Sequence, residues 1–262
     1  MVLSFYYQMS VCIVFVCNNN FIYKFIDSYN QLINNGKYKG DVCLIIGNDL
    51  NNSPIINEIK AKTPIIIKYF PDIVFSDYFY EINGNIEGSN DKRHLTKRFQ
   101  WHKLYVFDNY FKNWEFILYM DTGMYIYNDI SHIIAEKEEN KIIAHSDAYP
   151  SYVWKLKGQF DLKNEEIFKD LDNSFNLNID YFQTGMMLFD TKIIEEDTFQ
   201  NLISLANKYP ISKTNEQGII SLYFIEIKKL WKALRINNDK FHLYDYDKRN
   251  KNVDYIMTKY LQ

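Results

Sequence analysis

Asp121 is the residue of this chain best placed to do chemistry. It follows Phe116-Ile117-Leu118-Tyr119-Met120 and precedes Thr122-Gly123. Five bulky apolar residues that end at a turn read as a strand buried on both faces. A carboxylate at the end of such a strand is costly unless something pairs with it. In open α/β sheets that carboxyl edge is also where ligands bind. Asp121-Thr122-Gly123 equally spells the aspartic-protease signature, whose chemistry needs two facing carboxylates that share a proton. The chain has one Asp-Thr-Gly and no Asp-Ser-Gly, so that reading needs a symmetric dimer, and helical periodicity on both sides of the motif opposes an all-β fold. A plain turn residue is the third reading of Asp121.

The elements that would position Asp121 are legible in order. Val11–Cys17 reads as a central strand, and Asn18-Asn19-Asn20 as the polar turn that ends it. Phe21, Ile22, Phe25, Ile26, Tyr29, Leu32 and Ile33 then fall at helical spacing, closed by Gly36. Residues 41–47 and 64–70 supply two more strands. Strands alternating with helices predict a parallel α/β sheet. Residues 82–94 are polar and Gly-rich, a loop suited to closing over a ligand. A helix is expected to hold Leu95, Phe99, Leu104, Phe107, Tyr110 and Phe111, just ahead of the organising strand. Beyond that strand, Met124 and Ile126 alternate with Tyr125 and Tyr127, and residues 141–147 form a strand with polar residues at its carboxyl end. Residues 155–178 read as one or two surface helices, 181–190 as a strand, and Phe199 to Tyr209 as an amphipathic helix. Asn215 or Glu216 is suited to capping the helix that opens at Glu216-Gln217.

The order of these signals resembles the GT-A glycosyltransferases, in particular the glycogenin/galactosyltransferase-like family 8 group. There an apolar strand ends in Asp-x-Asp, and a short strand and an Asp-Ile pair follow, much like Asn128-Asp129-Ile130. Asp121 matches the first carboxylate, and Gly123 stands where the second would be. The resemblance implies a single-domain, Rossmann-like α/β fold over residues 1–262, a central mostly parallel sheet flanked by helices. A nucleotide-sugar half would cover about 1–130 and an acceptor half about 131–262. It implies transfer of a sugar from a nucleotide-sugar, a UDP-sugar, to a hydroxyl acceptor with retention of configuration. It further implies catalytic roles for Asp147, for Gln183 (in Gln183-Thr184-Gly185, where the family has Asn) and for Gln217. Donor contacts would come from Asp121, Lys103 and Lys248, the last with Arg249 beside it, and the turn Asn18 to Asn20 would hold the base. A Mn²⁺ or Mg²⁺ ion would sit on Asp121 and His242. With one carboxylate replaced by Gly123, metal binding should be weaker and need the diphosphate, and Gly123→Asp should strengthen it; otherwise Lys248, Arg249 or Lys103 must neutralise the phosphates. The reading from another class is a non-catalytic nucleotide-sugar or glycan-binding protein with a degenerate site.

Composition narrows the classes further. The 262 residues are 47% hydrophobic, enough for a sizeable core, and a net charge of −3 gives no basic footprint for nucleic acid. Cys12, Cys17 and Cys43 are odd in number and lie within or beside apolar runs, which suits free thiols in a reducing, cytoplasmic compartment. The first 23 residues carry no charged side chain, but no basic n-region precedes them and Ser4, Gln8 and Ser10 interrupt the run. A buried strand is therefore expected there, with no membrane span.

Overall fold

The computed structural model describes residues 10–84, 97–148, 154–247 and 253–260. Its strands in chain order are β1 (Val11–Cys17), β2 (Asp41–Ile46), β3 (Ile66–Tyr69), β4 (Phe116–Met120), β5 (Tyr125–Ile126), β6 (Ile142–Ser146), β7 (Phe182–Asp190), β8 (Trp231–Ala233), β9 (His242–Asp247) and β10 (Tyr255–Tyr260). Seven of them make the central sheet, in the order β3-β2-β1-β4-β7-β6-β8. β1 pairs in parallel with both β2 and β4, and β2 with β3. β7 runs antiparallel to β4 and β6, and β6 pairs in parallel with β8. The sheet is thus mostly parallel with one reversed strand, and helices flank it.

The apolar runs explain why these strands are central. Alternate residues of β1, β2 and β4 bury into opposite faces: Cys12, Val14, Cys43, Ile45, Ile117 and Tyr119 on one side, Ile13, Phe15, Val42, Leu44, Leu118 and Met120 on the other. A strand covered on both faces needs this continuous hydrophobicity. The second face is covered by the helix Ile22–Asn34 through Ile22, Phe25, Tyr29 and Leu32, the spacing its sequence predicts.

Strand order reverses between β1 and β4. The chain moves outward from β1 to β2 and β3, then crosses back to place β4 on the other side. Loops at the carboxyl ends of β1 and β4 consequently diverge and leave a crevice. β7 runs past the end of β4 by its first four residues, since Met120 pairs with Met186, and Ser146 at the end of β6 pairs with Phe182 at the start of β7. One sheet edge therefore carries the end of β4, the end of β6 and the start of β7.

Two local expectations are corrected. The helix expected before β4 is a short α-helical turn, Lys97–Gln100, followed by 3₁₀ segments at Trp101–Phe107 and Asn109–Asn113. All seven residues Trp101–Phe107 are buried, so an amphipathic α-helix with a solvent face has no place there. Asp108 ends the segment by accepting a bond from the Tyr110 amide. At the helix Glu216–Ser221 no side chain caps the N-terminus; instead Asn215 takes φ +54° and its carbonyl accepts from Ser212 Oγ at 2.5 Å. β10 pairs with β9 in parallel and with β5 antiparallel, forming a second, three-stranded sheet. The loop expected at 82–94 lies, from residue 85 on, outside the described residues.

Candidate active site

Asp121 stands at the floor of a cleft of about 1250 Å³, lined among others by Asn18, Lys24, Lys103, Gly123, Asp147 and Lys259. Its backbone amide donates to the Gly185 carbonyl at 2.8 Å, which extends the β4–β7 pairing by one residue and fixes the turn. Tyr119, two residues earlier and so on the same face of the strand, donates from its hydroxyl to Asp121 Oδ1 at 2.6 Å. Lys103 Nζ lies 3.1 Å from the same oxygen and Lys259 Nζ 2.7 Å from Oδ2. Lys103 also reaches Glu216 Oε1 at 2.6 Å and Thr184 Oγ1 at 3.1 Å. Two carboxylates and two ammonium groups thus form a compact cluster of zero formal charge.

Burial and charge pull these groups in opposite directions. Burial alone would raise the Asp121 pKa, but Lys103 and then Lys259 hold the carboxyl well below the usual carboxylate range. Burial would lower Lys103, yet Asp121 and Glu216 together keep it above the ordinary lysine value. Glu216 is pushed up by burial against the pull of Lys103. Tyr119 is pushed far up, first by burial and then by the Asp121 charge, so its hydroxyl stays a donor. Lys103 sits in the 3₁₀ segment with a side chain only 9% exposed, and this whole segment faces the sheet.

The far wall gathers three of the other residues singled out by sequence. Asp147 follows β6, and its amide donates to the Tyr181 carbonyl at 2.9 Å. Its carboxylate accepts a very short bond from the Tyr181 hydroxyl and a 2.6 Å bond from Gln183 Nε2. Tyr244 Oη donates at 3.4 Å to Gln183 Oε1, so both ends of that amide are held. Gln217 Oε1 accepts from the Thr184 amide at 3.1 Å, while its Nε2 donates to Gln159 Oε1 at 2.9 Å. Asp121, Asp147, Gln183 and Gln217 therefore share one cleft, although almost a hundred residues separate the first from the last. Gly185 belongs to the same surface: a Cβ there would stand 3.5 Å from Asp121 Oδ2 and 3.5 Å from Tyr244 Oη.

His242 does not join them. It opens β9, pairs with Tyr255 and packs its ring edge-on against that tyrosine at 5.2 Å. Lys259 is four residues further along β10, about 13 Å at ~3.3 Å per residue, and His242 is not among the residues lining the cleft. His145 packs edge-on against Tyr244, also outside the lining. Lys248 and Arg249 lie outside the described residues. Asn18 lines the cleft, is 7% exposed, and its Oδ1 has no hydrogen-bond partner within the described residues. Lys259 and Glu216 are the cluster members that sequence reasoning missed. Lys259 lies in a strand whose pairing with β5 no local pattern announces, whereas Glu216 is visible beside Gln217, in a pair resembling the family's Asp-Gln, but its ion pair with Lys103 is not.

These residues do not fit a divalent ion. Hard cations of this kind need several converging oxygens. Here both oxygens of Asp121 already hold ammonium groups, Gly123 supplies no ligand, and His242 stands on another part of the fold. Among the described residues no three His, Cys, Asp or Glu side chains converge as a metal site would require. The Asp121-Thr122-Gly123 protease reading fails as well, because Asp121 sits on a largely parallel α/β sheet and is ion-paired to two lysines. It is not poised to share a proton with a second carboxylate.

No curated protein matches the chain at the level of sequence. Solved structures match its fold. The WbbM bifunctional glycosyltransferase in its apo form shares 14% identity at a TM-score of 0.54, the match covering 97% of this chain and 46% of WbbM. Galactosyltransferase LgtC in complex with donor and acceptor sugar analogs shares 13% identity at a TM-score of 0.56, over 89% of this chain and 75% of LgtC. Core-mannan synthase A from Aspergillus fumigatus, in its Mn/GDP form, shares 10% identity at a TM-score of 0.52, over 90% of this chain and 76% of that one. This chain thus spans under half the length of WbbM. The model of the family described as Glycosyl transferase family 8 matches residues 12–260. The chain belongs to glycosyl transferase family 8, with the GT-A fold of the glycosyltransferases it resembles.

Proposed function

We propose that this protein transfers a sugar from a nucleoside-diphosphate sugar, a UDP-sugar in the first instance, to a hydroxyl-bearing acceptor with retention of configuration. The observation that carries the reading is the convergence of Asp121, Asp147, Gln183 and Gln217 on one cleft at the switch point of the sheet. Asn18 lines the cleft at the end of β1, where the family's turn would meet the nucleobase. Asp147 and Gln183, locked to each other and to Tyr181 and Tyr244, present fixed polar atoms for sugar hydroxyls. Gln217, held by the Thr184 amide at 3.1 Å, would stand beside the anomeric carbon as the resemblance implies. In the reaction the bond from C1 to the diphosphate oxygen breaks and its electron pair leaves with the diphosphate. The acceptor oxygen then bonds C1 and gives its proton to the departing diphosphate. Cationic side chains at the phosphates lower the barrier because negative charge develops there.

Buried cysteines agree with a reducing, cytoplasmic setting: burial pushes the Cys43 thiol up to about 12 and raises Cys12 and Cys17 further. No described helix is long and apolar enough to cross a membrane. The test is incubation with a panel of UDP- and GDP-sugars, following release of the nucleoside diphosphate and the anomeric proton of the product by NMR. Asp147→Asn and Gln183→Ala should depress release by at least about tenfold each, as loss of a charge-assisted or fixed hydrogen bond implies. A single observation favours binding without turnover, namely that Asp121 is fully engaged by protein groups. Tight binding with no release across the panel would establish that second reading, and neither binding nor release would overturn both.

A further inference from the structure

The lysine on Asp121 has a consequence for how the diphosphate is held, and it deepens the functional reading above, on which it rests. At the turn after β4 the family pattern has a second carboxylate, and this chain has Gly123 at φ +82°. A Cβ at that glycine would lie 3.4 Å from Lys24 Cδ, so the stem of Lys24 runs alongside the place the missing carboxylate would occupy. Across from it, Lys259 donates to Asp121 Oδ2 at 2.7 Å with a side chain 16% exposed. Both lysines line the cleft. An ammonium group has three donors and no acceptor, and within the described residues Asp121 is the hydrogen-bond partner that Lys259 shows. Its remaining donors are available to a ligand on the cleft side.

We propose that Lys259, seated on Asp121 within the charge-balanced cluster, donates hydrogen bonds to the diphosphate while Lys24 beside Gly123 brings a positive charge, the two together taking the place of a divalent ion, so that this protein holds a nucleoside diphosphate without metal. The geometry accounts for both departures at once. A carboxylate next to a diphosphate is repulsive unless a cation bridges them, and Lys259 is placed to bridge. A second carboxylate at position 123 would instead capture Lys24 and cancel its charge, and glycine leaves that lysine for the phosphates. His242 is then not required near the site, which agrees with its place at the far end of β9. The β10 strand acquires a role as well: it carries Lys259 into the cleft from the end of the chain.

The test is titration calorimetry of the full chain with UDP and with GDP, once in EDTA and once in Mn²⁺, repeated for Lys259→Met, Lys259→Arg and Lys24→Met. The expected result is the same Kd within about twofold in EDTA and Mn²⁺ for the unaltered protein. Loss of a charge-assisted hydrogen bond to phosphate should weaken binding by about ten- to a hundredfold in Lys259→Met. Lys259→Arg should retain most of the affinity, and Lys24→Met, an exposed substitution that leaves the fold alone, should lose a smaller factor. Binding that disappears in EDTA and returns with Mn²⁺ overturns the proposal while leaving the transferase reading in place. Unchanged binding in Lys259→Met also overturns it. No binding of either nucleotide with or without metal overturns the functional reading itself.

Discussion

Replacing Lys103 with Met removes a cation from between two carboxylates and leaves a side chain of similar length. Asp121 keeps Lys259 at 2.7 Å. Glu216 does not fare as well: its side chain is 5% exposed, and Lys103, at 2.6 Å, is the cation the described residues give it. Breaking a buried pair by removing one partner costs about 3–5 kcal/mol. The buried carboxylate can limit that loss by taking a proton. With an ordinary glutamate pKa of about 4.3, holding Glu216 protonated in the fold costs about 3.7 kcal/mol at pH 7 and about 1 kcal/mol at pH 5. Burial already raises Glu216 in the parent protein, with Lys103 opposing; in the variant the opposition is gone. The folded variant therefore binds protons at Glu216 more tightly than the folded parent. Its stability relative to the parent must fall as pH rises, by up to about 1.4 kcal/mol per pH unit wherever the variant holds this proton and the parent does not. Urea denaturation of both proteins at pH 5, 6 and 7, followed by tryptophan fluorescence, measures this. The double variant Lys103→Met/Glu216→Gln should recover most of the pH 7 loss, since no buried charge is then orphaned. A destabilisation equal at pH 5 and pH 7, or a double variant no more stable than the single, would refute the reasoning.

Gly123→Asp reverses an expectation drawn from sequence. A left-handed φ of +82° costs an L residue about 1–2 kcal/mol, and the new carboxylate would meet Lys24 rather than an ion; the variant should melt lower and gain no Mn²⁺ affinity by calorimetry, and measurable Mn²⁺ recruitment would contradict this. The cysteines should be inert in the native state: burial raises all three thiols, so a thiol-specific chromogenic reagent should label none at pH 8 and all three in urea. Rapid native labelling of any one would show that its strand opens locally.

The sequence by itself determined the sheet and the position of Asp121 on it. The runs Val11–Cys17 and Phe116–Met120 can be satisfied only by burial on both faces, and the strand–helix alternation leaves few topologies besides a parallel α/β sheet. Asp121 and Asp147 were legible because each stands at the carboxyl end of an apolar run, and run ends fall on sheet edges; Gln183 and Gln217 were singled out by the family resemblance. The state of the site was decided by tertiary structure alone. Lys103 reads locally as one of several basic residues on an amphipathic helix, and only the 3₁₀ segment packed beneath the sheet makes it the centre of a charge cluster. Glu216 reads as a cap or as the acidic member of a Glu-Gln pair beside the donor, and only the fold turns it inward to Lys103. His242 and Lys259 show the limit most clearly. Which residue of a strand reaches a cleft depends on register, and a ladder between segments over a hundred residues apart leaves no local trace of its register. β10 settles onto β5 with Met257 opposite Ile126, and that pairing sets Lys259 on Asp121, while His242, which opens β9, faces Tyr255 at the other end of β10.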